Sequence, residues 1–322
     1  MTTDLVNRHD ILILFDVTNG NPNGDPDAGN MPRIDPTSNH GLVSDVCLKR
    51  KVRNYVEAFP PPRDPGGNED AILIRQGAVI EREQNKAIEA SKKEELPGAS
   101  PAERAKNWLC RKFFDVRTFG GVLSTGDKEM KGSAYGQVRG PVQFTFARSV
   151  DPVVPLEVTI TRCAVTKEED AQKERTMGNK FIVPYALYVA KAYVSPAFAE
   201  NTGFSRRDLG VVLEALGNLF ENDRSAARGE MVVRGLYDFE HVGTQSDSNA
   251  DQKRRETRLG CAHAHELFEC IAIAHDEEHL ASRPHPSCFR DYRVTVGFDE
   301  RRFPGVKLSL LVPGTAAANA AA

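Results

Sequence analysis

Hydrophobic and polar positions along this chain change period from one segment to the next, and each change marks an element. Asp10–Val17 contains the apolar run Ile-Leu-Ile-Leu-Phe, which predicts a strand. Residues 18–32 are dense in Gly, Asn, Pro and Asp, a composition that predicts a long loop with neither helix nor sheet. Leu48, Val52, Tyr55, Val56 and Phe59 then recur at helical spacing, with Ser44 or Asp45 placed to cap the helix and Pro60-Pro-Pro62 to stop it. At about 100° per residue, Lys49, Arg50 and Arg53 fall on one flank of that apolar stripe and Lys51 on the other.

Further along, residues 60–107 read as an insertion with a charged helical stretch near 81–95. Ser100-Pro-Ala-Glu103 combines an N-cap, a proline at the first helical position and a capping-box acid. The helix it opens carries Trp108, the sole tryptophan, whose expected place is the core. Strands are predicted at about 141–148 and 156–165. Phe181, Val183, Tyr185, Leu187 and Val189 alternate as a half-buried strand does. Between the last two lies the highly charged segment Lys167–Lys180, so the pair predicts a hairpin with a protruding tip. An amphipathic helix starts at Ser205, a short helix falls near 262–275, and strands fall near 230–240 and 289–298. This order predicts an α+β fold with helices on one face of a sheet, a β-α-β-β-α-β ferredoxin-like core carrying insertions.

Composition narrows the function classes. The 322 residues are 40% hydrophobic and 27% charged, ordinary values for a globular protein. No apolar run reaches the roughly 18–20 residues of a membrane span, and the first residues lack a signal-peptide core, so a cytoplasmic address is expected. The six cysteines are scattered and read as reduced thiols. A net charge of −3 does not oppose nucleic-acid binding, because screening over about 8 Å lets a local cation cluster act alone. The Ala-rich stretch 315–322 is low-complexity tail.

The cation row in Val43–Arg53 supports two readings, a solvated helix face or a surface that neutralises a nucleic-acid backbone, with Ser44 donating at the helix N-terminus. The pattern Ser44-x-x-x-Leu48-Lys-Arg-x-x-Arg53, following Phe15–Arg33 with its Asn-Gly-Asn-Pro-Asn-Gly-Asp-Pro core, resembles the guide-binding region of CRISPR backbone subunits. Arg117-Thr-Phe-Gly-Gly121, Arg139-Gly-Pro-Val-Gln-Phe144 and Arg175-Thr-Met-Gly-Asn-Lys180 add to the likeness. It is strongest to the type I-C Cascade backbone subunit of the repeat-associated mysterious protein superfamily.

That resemblance implies a hand-shaped subunit whose palm is a modified RNA-recognition motif. The palm would comprise 1–59 and 108–312, with 60–107 as an inserted subdomain and 166–180 as the tip of a thumb. Copies would stack head to tail along a guide RNA (crRNA), beside other Cascade subunits, presenting guide bases to target DNA. By position, Ser44, Lys49, Arg50 and Arg53 would hold RNA phosphates, Met177 would wedge beside a displaced base, and Arg139 and Lys180 would assist. A glycine-rich loop common near the C-terminus of relatives is represented only by Phe303-Pro-Gly-Val-Lys-Leu308. Neither a cofactor nor catalysis is implied, since in type I systems cutting falls to a recruited helicase-nuclease.

Three chemistries compete with this reading. His275-Asp-Glu-Glu-His279 matches the inverted zinc-protease pattern H-x-x-E-H, with His263 or His265 as a further ligand. Cys261-Ala-His-Ala-His265 with Cys270 or Cys288 offers a structural zinc site of no standard spacing. Asp25 or Asp27 could serve metal-dependent RNA cleavage, as an Asp does in some type III relatives, although Asp-Pro and Asn-Gly belong to turns for backbone reasons. Gly121–Lys128 approximates a phosphate loop but places Asp127 where the Gly-Lys pair is required, and Arg117 reads as a structural partner for Asp115.

Overall fold

Strand β1 (His9–Gly20) lies in the interior of an eight-stranded sheet in the computed structural model, which describes residues 6–93, 97–123, 136–161, 164, 168, 177–245 and 249–312. The first long loop then forms a two-residue ladder of β2 (Gly24–Asp25) with β3 (Met31–Pro32) before β4 (His40–Val43) and helix α1 (Asp45–Ala58). Next come α2 (Ile80–Lys93), α3 (Pro101–Lys112), α4 (Phe114–Phe119), β5 (Gly120–Val122), β6 (Gln137–Arg139), β7 (Val142–Phe144) and β8 (Ala147–Pro152). The hairpin β9 (Leu156–Thr161) and β10 (Met177–Val194) leads to α5 (Pro196–Thr202), α6 (Arg206–Gly217) and β11 (Glu230–His241). The chain closes with α7 (Ala250–Leu259), α8 (Ala264–Glu269), β12 (Ile271–His275), α9 (Glu277–Leu280), β13 (Tyr292–Val296) and β14 (Val306–Val312).

The fold is mixed α+β around one large antiparallel sheet of order β14-β11-β1-β10-β8-β4, with β7 and β9 also pairing β10. Counting only β1, β8, β10 and β11, the order across the sheet is fourth, first, third, second, with α1 after the first strand and α6 before the fourth. Period-2 alternation explains the two cores. Ile11, Ile13, Phe15 and Val17 face α1 and α6 through Leu48, Val52, Val56, Leu209, Val212 and Leu216. Leu12 and Leu14 face the other way, against Phe239, Leu267, Phe268 and Tyr292.

That second face corrects the expectation of helices on one face only: α8 and the β12–β13 hairpin cover it. Residues 262–275 are likewise not one helix, since the chain turns at Cys270 and continues as β12. The strand near 289–298 is shorter and pairs with β12 rather than entering the main sheet. The first loop, expected to hold no sheet, contains the β2–β3 ladder.

A third cluster joins Leu73, Ala87, Ile88, Leu109, Phe113 and Leu123, with half-buried Trp108 against it. Ser100 caps α3 by accepting from the Glu103 amide (3.1 Å), while the Glu103 carboxylate accepts from Ala99 N rather than closing on Ser100. Ser205 and Asp208 form a reciprocal capping box on α6. Residues 166–167 and 169–176 of the expected thumb tip, Cys163, the phosphate-loop-like stretch beyond Leu123 and the tail from 313 lie outside the described residues. Among the described residues no helix is long and apolar enough to cross a membrane.

Candidate nucleic-acid interface

Helix α1 is fixed from below by Leu48, Val52 and Val56, all fully buried, and from its N-terminus by the first loop. Ser44 is the N-cap: its Oγ accepts from Cys47 N (3.4 Å), and both its amide and its hydroxyl donate to Asn23 Oδ1 (2.9 and 2.8 Å). The hydroxyl proton is thus committed to Asn23, and Ser44 anchors the loop to the helix. Cys47 Sγ reaches Pro22 O (3.6 Å), and burial pushes its thiol pKa up against the opposing pull of Lys51.

The four cations of the helix have separate fates. Arg50 is exposed and makes no hydrogen bond or ion pair with another described residue. Lys49, with 13% of its side chain exposed, pairs with Asp45 one turn back (3.0 Å) and reaches Gln143 Oε1 (3.5 Å). Lys51 is buried against Asp223 and over the Phe220 ring, on the flank away from the other three. The flank expected to carry Lys49, Arg50 and Arg53 therefore presents one arginine without a partner among the described residues, beside two tethered cations.

Arg53 is the most constrained of the row. Its Nε donates to Asp115 Oδ2 (2.8 Å) and its guanidinium lies 5.2 Å from the centre of the Phe119 ring. Asp115 is fully buried and also accepts from the amides of Leu73 (2.9 Å) and Ile74 (3.0 Å). Only 12% of the Arg53 side chain is exposed, yet its two terminal nitrogens have no hydrogen-bond partner among the described residues and are not sealed from solvent. The Asp115 tether and the Phe119 ring hold the guanidinium in one place with those two donors unspent. Arg117 is not the partner of Asp115: it is buried, bidentate to Asp208 (3.0 and 2.9 Å) and bonded to Asp70.

Two of the sequence motifs meet beside this helix. Gly120 has φ +72°, and a Cβ on Gly140 would stand 2.1 Å from the Phe119 carbonyl carbon, so Arg117–Gly121 and Arg139–Phe144 touch backbone to backbone. Gln143 locks the contact by donating to Gly140 O (2.9 Å) and Phe119 O (3.4 Å) while receiving Lys49. Arg139 is exposed on β6 at this junction. Met177 and Lys180 lie elsewhere, on the β9–β10 hairpin. Met177 is 70% exposed opposite Thr161, and Lys180 bonds Ala226 O next to Ala227, which receives Asn21 N (2.6 Å). The pairings of Asn23 with Ser44, Asp115 with Arg53 and Gln143 with Lys49 escaped the sequence, since no local pattern marks a partner 21 to 94 positions away.

The rival chemistries lose their geometry here. His275 ends a strand and His279 sits in α9 beyond the Asp276 cap, so the two do not share a helix face. His275 Nε2 bonds Asp151 instead (3.0 Å). Among the described residues no three His, Cys, Asp or Glu side chains converge to hold a metal ion. Asp25 caps the 3-10 turn over Pro26–Ala28 and pairs with Arg33 (3.2 Å), the turn role its sequence context favours.

The family model described as CRISPR-associated protein Cas7 matches residues 7–297. A CRISPR-associated protein Cas7 from Haloferax volcanii is 29% identical over 227 residues, covering 65% of this chain and 62% of that protein. The chain thus spans less than two thirds of that relative's length. Among solved structures, it is similar to a chain of a CRISPR RNA-guided surveillance complex in a pre-nicking state (17% identity, TM-score 0.46, covering 82% and 85% of the two chains). A chain of another CRISPR RNA-guided surveillance complex has 18% identity, a TM-score of 0.43 and coverage of 82% and 79%. Since the family model spans nearly all of the chain, this protein belongs to the CRISPR-associated protein Cas7 family.

Proposed function

We propose that the chain is a non-catalytic backbone subunit of a Cascade-type surveillance complex, of subtype I-C, that binds guide RNA through its phosphates and leaves the bases free for target DNA. The observation carrying this reading is the α1 surface: exposed Arg50 between tethered Lys49 and Arg53, on a helix whose opposite face is locked into the core. Phosphate contacts position a strand without reading it, which suits a subunit that must accept any guide. Exchanging the Lys49–Asp45 pair for a phosphate gives up only about 0.3–0.5 kcal/mol. Arg53 needs no such release, because its two terminal nitrogens have no hydrogen-bond partner among the described residues. Ser44 contributes by holding the loop, Arg139 lies at the junction that receives Lys49, and Met177 and Lys180 contribute from the hairpin.

The strand order fourth-first-third-second is that of a ferredoxin-like or RNA-recognition-motif palm, with 1–59 and 108–312 forming it and 60–107 inserted; α3 carries the chain from one to the other. The β9–β10 hairpin is the base of the thumb. Copies stack head to tail, because a heterologous interface of this kind builds an open filament, and other Cascade subunits cap the array. Titrating single-stranded RNA across salt concentrations tests the reading. Wild type should bind cooperatively and independently of sequence, leaving the RNA intact, and Lys49→Ala/Arg53→Ala should lose about 1.4 of the log-log salt slope. An unchanged slope in the folded double mutant would remove α1 from the RNA surface.

A further inference from the structure

Arg53 is one of two arginines among the described residues presented in the same way. Arg234 repeats its arrangement on the opposite face of the sheet. Its Nε donates to Asp16 Oδ2 (2.8 Å), and its guanidinium lies 5.2 Å from the centre of the Phe289 ring. Asp16 is buried like Asp115, and it also accepts from the Tyr185 hydroxyl (3.2 Å). The terminal nitrogens of Arg234 again have no hydrogen-bond partner among the described residues, and 32% of the side chain is exposed.

The backbone is irregular at this residue. Along β1 and β11, Leu14 pairs with Gly235 and Phe15 with Val233, so Arg234 is the extra residue of a bulge in a central strand pair. Bulges re-aim a side chain and recur beside functional sites. Gly235 gives the bulge room, since a Cβ there would stand 2.6 Å from the Tyr237 ring. Around the guanidinium stand half-buried Phe289 and Tyr185, the latter 6.4 Å from Tyr292, with exposed Arg290 next in the chain. Of the neighbouring carboxylates, Asp16 is engaged by Arg234 and Tyr185 and Asp151 by Tyr292 (2.5 Å) and His275, while exposed Glu230 adds a further negative charge that acts on Asp16.

We infer that Arg234 forms a second nucleic-acid contact, taking a phosphodiester on its outward fork with Phe289 and Tyr185 available to the adjoining base. A free guanidinium edge fits phosphate bidentately, and aromatic faces accept any base. The sheet separates this site from α1, so the two arginines hold different stretches of phosphate. The inference rests on the RNA-binding reading above and extends it to a second surface. The phosphodiester belongs either to a further segment of the guide or to the DNA strand paired with it.

The test compares wild type, Arg53→Ala, Arg234→Gln and Arg234→Lys, each checked for wild-type melting. Two probes are titrated across salt: single-stranded RNA on free protein, and complementary DNA on preassembled protein–RNA filaments. Arg234→Gln should lower the log-log slope by about 0.7 on one probe, RNA if the guide is held and DNA if the paired strand is. Arg234→Lys should keep that slope but weaken binding several-fold, since an ammonium cannot span Asp16 and a phosphate together. Wild-type slopes for folded Arg234→Gln on both probes, with Arg53→Ala still reduced, would overturn this inference alone. Absence of RNA binding by wild type would overturn it together with the function proposed above.

Discussion

Helices α1 and α7 carry similar runs of basic residues, Lys49-Arg-Lys-x-Arg53 and Lys253-Arg-Arg-x-x-Arg258, yet they are built differently. Helix α1 buries Leu48, Val52 and Val56 and draws Lys49 onto Asp45 and Arg53 onto Asp115. Helix α7 buries only Thr257, leaves Leu259 67% exposed, and is held by polar ties: Arg254 and Arg258 to Glu200, and Glu256 to Thr244. A run of positive charge is therefore an incomplete description of a binding surface. What separates the two is the rigidity of the backing and the direction in which each guanidinium is held.

The contrast can be broken first at the backing. Leu48→Ala should cost about 2–5 kcal/mol in urea unfolding, as full burial implies, whereas Leu259→Ala should stay within about 0.5 kcal/mol. Equal losses would mean that α7 is packed as firmly as α1. Next comes the tether. Asp115→Ala strands the buried Leu73 amide and the half-buried Ile74 amide and releases Arg53, so a loss of about 3 kcal/mol is expected by the same measurement, together with weaker RNA binding. The third comparison exchanges charge alone. Lys49→Ala/Arg53→Ala should weaken RNA binding about tenfold or more at physiological salt. Arg254→Ala/Arg255→Ala should change it by less than about twofold, and a larger loss on α7 would place a guide contact there.

The smallest effect is one of pH. Hydrogen bonds from the Thr244 amide, then from Gln252 and the Thr244 hydroxyl, hold the Glu256 carboxyl below its ordinary value of 4.5. A depressed carboxylate contributes stability above its unfolded-state pKa and loses it as pH falls through the folded-state value. Amide exchange in α7, corrected for intrinsic rates, should therefore speed up as pH drops below 4.5, while α1 stays protected. Glu256→Gln should remove that pH dependence, and an α1 that loosens in parallel would erase the distinction between the helices.

Much of this was legible in the sequence because it is periodic or chemical at short range. The β1 run, the α1 stripe, the Ser100 cap, the helix start at Ser205 and the flank shared by Lys49, Arg50 and Arg53 all follow from residues within a few positions of one another. What escaped depends on distant partners. Nothing near Arg53 announces Asp115, and nothing near Ser44 announces that Asn23 will accept its hydrogen bond. The cover on the second sheet face escaped because Ile271–His275 is short and apolar, a pattern shared by the end of a helix and the start of a strand. Edge strand β14 escaped although Val306-Lys-Leu-Ser-Leu310 alternates apolar and polar residues, because the alternation lasts only five positions directly after Pro304-Gly305.

Strand β10 has a mechanical meaning. Its 18 residues, at about 3.3 Å each, make a continuous strut about 60 Å long. Residues 183–194 are laced to β1, while 177–182 stand clear of it, paired only with β9. The separation between the hairpin's outer end and the central sheet is therefore set by covalent bond lengths in one unbroken element rather than by a joint between two parts. A load at the far end passes straight into the strand beside β1. The molecule has a built-in measure of length that loosening of its surface ion pairs would leave unaltered.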